Sequence, residues 1–334
     1  MMRKGLLATL GFCVAAVVAR AAPAAAAEIK IATLAPKGSA WAKILEEGAK
    51  SIAEKTGDRV QIKYFFSGSQ GDERDVVRKM KLGQLDGSAL TAVGLGLIKG
   101  DVRVLELPFL FKTDKELDYV RDKMSTDFEK QFDDAGYVLL AWGDVGWVHL
   151  FSNIQLTSKA DLDKTKMWAW TDDPIVRAFF KRLGINGVPL GVPDVLPSLQ
   201  TGTIDACYGS PYAAVVLQWY SKVKYATGTP ISYSIGALVV RKEVFNKLSA
   251  EDQKTVKESS KVMGGQLMTR IRADNERAKN TIQKSGITFV PVPAALLAEF
   301  EKEGQAVWDE LSGGKLYAAD LLVKVKKYVA EARK

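Results

Sequence analysis

Two short runs hold the side chains best suited to gripping a small molecule. MWAW carries Trp168 and Trp170, and CYGSP carries Tyr208 and Ser210. Side chains alternate along a strand, so Trp168 and Trp170 share a face. An indole brings a large apolar ring with one N–H donor, and a phenol adds a hydroxyl. Such rings wall a pocket for an apolar, aromatic or cationic molecule. Covalent chemistry has fewer resources. The chain has one histidine, His149, and two cysteines, Cys13 and Cys207, so a Cys–His or Ser–His–Asp site would have to use His149. G-x-S-x-G, H-E-x-x-H and C-x-x-C are missing from the sequence, and Gly94-Leu95-Gly96 is followed by Lys99 where a third glycine would stand. Cys207 reads as a small residue at a strand end and His149 as a hydrogen-bonded hinge residue. The expectation is a binding protein with no catalytic residue, metal or cofactor.

The elements that place these residues alternate between strand and helix. Lys166–Trp170 is a strand, and Asp172 or Asp173 caps a helix with Pro174 in its first turn and Gly184 at its end. Val188–Leu190 is a strand, Pro193–Thr201 a helix stopped by Gly202, and Ile204–Tyr208 a strand. Earlier, Glu28–Leu34 is a strand ending near Thr33. A helix capped by Ser39 follows, with Trp41, Ile44, Leu45, Ala49 and Ile52 at helical spacing. Val60–Phe66 is a strand, a helix begins near Asp72, and Ala89–Val93 is a short strand containing Thr91. This order makes parallel sheets, which bind ligands at the carboxyl ends of their strands. Tyr137–Trp142 and Gly146–Ser152 read as two strands, the second with Trp147 and His149 on one side and Val148 on the other. The run YAAVVLQWYSKVKY from Tyr212 reads as one helix. Ala250–Ser285 is a very long helix with Gly264–Gly265 a candidate bend.

The first 27 residues look like a secretory signal. Arg3 and Lys4 precede an apolar run over Leu6–Val18, and Ala24–Ala27 offer a small-residue cleavage site before Glu28. Cys13 lies inside the run, with Phe12 where a lipidation site would need a small residue. Arg3, Lys4 and Arg20 leave with the leader, so the formal charge of +8 falls to +5 in the mature chain. That excess is spread without a basic block, which argues against nucleic acid.

The stretch DLDKTKMWAW followed by LGINGVPLGVPDVLPSLQTGTIDACYGSP resembles the central signature of the TRAP-type (tripartite ATP-independent periplasmic) solute-binding proteins, the DctP-like family. SGSQGDER, KLGQLDG and LPFLF resemble motifs of the same family's first lobe. The resemblance covers essentially the whole mature chain. It implies an α/β, two-lobed periplasmic binding protein fold, each lobe a mostly parallel sheet flanked by helices, with a long helix spanning both. The lobes would comprise 28–146 with about 237–276, and 147–236 with about 277–334, the C-terminal helix packing back on the first. The resemblance also places Trp41, Glu73 and Thr91 near the cleft. Glu73 is equally well read as a solvated carboxylate at a helix start. Trp147 and Tyr212 join Trp168, Trp170, Tyr208, Ser210 and Thr33 as candidate ligand contacts.

One departure matters. The arginine that clamps a substrate carboxylate in relatives falls on Trp168, which removes a bidentate cation and adds an apolar ring. The expected function is capture of a hydrophobic or non-carboxylate solute in the periplasm and delivery to a TRAP-type membrane permease. Two alternatives stand beside it: an organic-acid binder using Arg177 or Arg182 instead, and a lipid-handling or docking protein with a periplasmic helical-repeat partner. An exported enzyme is the weakest reading.

Overall fold

The structure, a computed structural model, describes residues 26–334. The expected leader, with Cys13, lies outside the described residues apart from Ala26 and Ala27. In chain order the strands are β1 (Ala27–Thr33), β2 (Val60–Phe65), β3 (Gly87–Thr91), β4 (Tyr137–Ser152), β5 (Trp168–Trp170), β6 (Val188–Leu190), β7 (Ala206–Gly209), β8 (Tyr225–Thr227), β9 (Ser232–Arg241) and β10 (Thr288–Val290). The helices are α1 (Ala40–Lys55), α2 (Glu73–Lys81), α3 (Ala92–Ile98), α4 (Asp114–Asp134), α5 (Lys159–Asp163) and α6 (Pro174–Leu183), then α7 (Val192–Thr201), α8 (Pro211–Val216), α9 (Lys242–Phe245), α10 (Ala250–Lys284), α11 (Ala294–Leu311) and α12 (Ala319–Ala332). Short 3-10 segments lie at Gly100–Glu106 and Trp219–Lys222.

The first lobe is built on β2, β1 and β3, all parallel, joined by helices that cover the sheet. The second lobe holds the parallel pairs β8–β10 and β5–β6, with Met167 bridging to Ala206. Between them run β4 and β9, antiparallel to each other from Tyr137↔Arg241 to Val148↔Ser232. β9 pairs β3 at one end, and β4 pairs β7 and β8 at the other. The parallel halves are therefore stitched by an antiparallel ribbon.

Local chemistry explains most boundaries. Ser39 caps α1 by accepting from Ala42 N, and Asp173 caps α6 by accepting from Ile175 N and Val176 N, with Pro174 at the first position. Gly184 closes α6 at φ 76°, a left-handed geometry that favours glycine. Two expectations are corrected. The strands expected at Tyr137–Trp142 and Gly146–Ser152 are one continuous strand, because β9 supplies a partner along almost its whole length. The expected break survives only as register shifts near Leu139 and before Gly146, where φ is 121°. The single helix expected from Tyr212 is interrupted at Gln218, whose φ of 60° ends α8 and starts the turn bearing Trp219.

The long helix α10 is unbroken at Gly264. A Cβ there would sit 2.7 Å from the carbonyl oxygen of Trp142, so this glycine lets the helix press on β4. Helix α12 packs on α4, where Lys324 pairs with Asp127 and Arg333 with Glu116.

Candidate functional site

A cavity of about 210 Å³ lies between the lobes. Thr33, Trp41, Glu73 and Thr91 line it from the first lobe, and Trp168, Trp170, Tyr208 and Ser210 from the second. Trp147 and Tyr212 fall outside its wall. Their polar atoms are engaged elsewhere. Trp147 Nε1 donates to Asp114 at 2.8 Å, and the Tyr212 hydroxyl accepts from Ala40 N at 2.6 Å while its ring meets Trp41 edge-on. On the same strand as Trp147, Val148 does line the cavity. His149 is buried instead against the Thr227 carbonyl, and burial lowers its pKa to about 4.

The second-lobe wall is an aromatic stack. Trp168 lies parallel to Tyr208 with ring centroids 4.6 Å apart, and Trp219 meets it edge-on at 5.3 Å. The Trp168 N–H donates to Leu190 O at 3.0 Å, and the Tyr208 hydroxyl accepts from Trp170 N at 3.1 Å. The polar atoms of this wall thus satisfy one another, and what it presents is largely ring surface. Trp219 was not among the sequence candidates, because the helix expected there gave no reason to aim it at Trp168.

The first-lobe wall carries a carboxyl. Glu73 is not solvated as a helix-start carboxylate would be; it is 2% exposed. Its oxygens accept from Thr91 N, Thr91 Oγ1 and Gly94 N at 2.7, 2.8 and 2.6 Å. Burial pushes its pKa up to about 8 against the pull of those donors, so it is mostly protonated at neutral pH.

Neither Arg177 nor Arg182 belongs to the wall. Arg177 is exposed, and Arg182 pairs with Glu303 and Glu310 on α11. The cation that lines the cavity is Arg103, in the 3-10 segment, 2% exposed. Its Nη2 donates to Asp173 Oδ1 at 2.9 Å and lies 3.2 Å from Glu106 Oε2. Its Nε and Nη1 are buried with no hydrogen-bond partner. Burial alone would push this guanidinium down, and the facing Asp173 and Glu106 carboxylates overcome that and hold it above its ordinary value. Burial also raises Glu106, against the attraction of Arg103.

Contacts that cross between the lobes include Arg103–Asp173, Arg74–Asp172, Trp170 Nε1 to Asp72 Oδ2 at 2.7 Å and the Ala40 N–Tyr212 hydroxyl bond. They hold the lobes closed over the cavity.

A mostly apolar chamber between two lobes, with most of its polar groups engaged within the chain, suits a receptor that encloses a solute. The sequence places it further. Residues 31–313 match DctP, the bacterial extracellular solute-binding protein family 7, and the chain belongs to that family. A solute-binding protein of Verminephrobacter eiseniae is 27% identical over 278 residues, covering 79% of this chain and 82% of its own. A TRAP periplasmic solute-binding protein from Desulfovibrio salexigens, with bound orotic acid, matches at TM-score 0.84 and 21% identity, over 92% of this chain and 99% of its own. The sugar acid binding protein DctPAm from Advenella mimigardefordensis, in complex with galactonate, matches at TM-score 0.85 and 16% identity, over 92% and 99%. Receptors of this family are extracytoplasmic, bind small molecules and work with membrane permease components.

Proposed function

We propose that this receptor captures a compact, largely apolar solute lacking a free carboxylate, and delivers it to a TRAP-type permease. In this reading the chain is exported to the periplasm by its leader, cleaved near Ala27. The lobes divide as 28–146 with about 237–276, and 147–236 with about 277–334. The observation that carries the reading is the pairing of Arg103. It is the one cation lining the cavity among the described residues, and two carboxylates already face it. The Trp168–Tyr208 stack and Trp170, Trp142 and Trp41 line the same cavity. A solute enclosed there gains mainly by burying apolar surface, at about 25 cal/mol per Å². Contacts to both walls exist only in the closed form, so binding favours closure.

A second reading rests on the unpartnered Nε and Nη1 of Arg103. Those donors suit an acid, the class named for the relatives with orotic acid and galactonate. The experiment that separates the readings is release. The protein, exported by its own leader, is purified, denatured, and its small molecules identified by mass spectrometry. A neutral, apolar species near one-to-one supports the first reading. A small carboxylate overturns it in favour of the second.

A further inference from the structure

Resting on the first reading above, we infer that Asp173 is a specificity-determining residue: it occupies, from within the chain, the place beside Arg103 that an anionic solute would otherwise take. Arg103 belongs to the first lobe and Asp173 to the second, and the two meet at 2.9 Å in the cavity wall. The Asp173 carboxylate is set in place by its own helix. The same Oδ1 accepts from Ile175 N at 3.0 Å and Val176 N at 3.2 Å, so its aim at the guanidinium does not wait for a solute.

A carboxylate held in place this way competes as an intramolecular group, without the association entropy a free acid must lose. The free acid also meets an electrostatic obstacle. Entering beside Arg103, it would be the third carboxyl around one buried guanidinium, after Asp173 and Glu106. Like charges in a desolvated site raise the cost of each addition. Nε and Nη1 have no partner within the chain, and an uncharged acceptor such as a carbonyl or hydroxyl oxygen would complete them.

The device also reassigns the work of closure. The ionic contact across the lobes is intramolecular, so a neutral solute need supply only ring or chain contacts to keep the lobes shut. An acid without this arrangement would have to bring that contact itself.

The test uses two probes that share a ring and differ in charge, benzoate and benzamide. Each is titrated by calorimetry and by thermal shift against the full exported protein and Asp173→Asn. Asparagine still caps α6 and removes the charge. The expected result is a gain for benzoate of about tenfold or more relative to benzamide, the scale of a desolvated charge pair. Adding Arg103→Met to Asp173→Asn should abolish the gain. No gain in Asp173→Asn, with the wild type preferring benzamide, overturns the inference alone. A wild type that already prefers benzoate overturns the reading of a non-carboxylate solute. Asp173→Ser, a shorter cap, is the second variant. If both variants refold poorly, recovery in benzoate but not benzamide supports the inference, and recovery in neither overturns it.

Discussion

Two buried arginine–carboxylate clusters among the described residues have opposite characters. Around Asp144 on β4, Arg121 of α4 donates at 2.8 Å, Arg272 of α10 at 2.7 Å and Tyr233 of β9 at 2.8 Å. Asp118 takes the remaining edges of both arginines. Neither arginine is left with a buried donor lacking a partner. Around Arg103 there are one guanidinium, two carboxyls and two orphan donors. The first cluster joins elements that stay together, α4, β4, β9 and α10. The second joins lobes that must part. A saturated network suits a permanent joint, and an unsaturated one suits a place where something is yet to arrive.

The sharpest break between the two is Asp144→Ala. It removes the buried carboxylate shared by Arg121, Arg272 and Tyr233, leaving Asp118 as the only carboxylate hydrogen-bonded to the arginines, and should cost about 3–5 kcal/mol of stability. Urea denaturation measures it, and a loss under about 1 kcal/mol would erase the contrast, since surface pairs cost as little. Next comes the pH response of the cleft. Glu73 has a folded-state pKa raised from 4.5 to about 8 by burial, so the folded chain holds a proton that the unfolded chain has released. Its contribution to stability is complete below pH 4.5 and is lost as pH rises toward 8. Glu73→Gln should flatten that decline in melting temperature across the window. An unchanged slope would place the effect elsewhere. The smallest effect belongs to Trp170→Phe, which removes the 2.7 Å bond to Asp72 across the lobes. A hydrogen bond to a charged group contributes about 1.5–3 kcal/mol. It is made only on closure, so apparent solute affinity should weaken by about tenfold or more while the urea midpoint moves little. The opposite pattern would make Trp170 part of a fixed joint.

What could be read from the sequence follows from the range of each signal. Asp173, Pro174 and Gly184 frame α6 within a dozen positions, and Ser39 frames α1 the same way. The family motifs carried the two-lobed fold. The continuity of β4 was hidden because it depends on β9, some ninety residues later, and the glycines at 143 and 146 suggested a break. Arg103 was hidden for a similar reason. An arginine reads as surface until its partner is known, and Asp173 lies 70 positions away. The available signal was its setting, a charged pair three residues apart inside VRVLELPFLF. Trp147 and Tyr212 looked like wall residues because ring chemistry alone does not reveal that Asp114 and the Ala40 N–H already engage them.

The paired run of β4 and β9 carries a mechanical consequence. The chain passes between lobes along a hydrogen-bonded ladder from Tyr137↔Arg241 to Val148↔Ser232, not along loose tethers. A ribbon of that kind flexes across its face and resists shear in its plane. A ladder of this kind restricts the lobes to bending along it, and the glycine pair Gly143↔Gly236, with the least side chain to resist, lies near its middle.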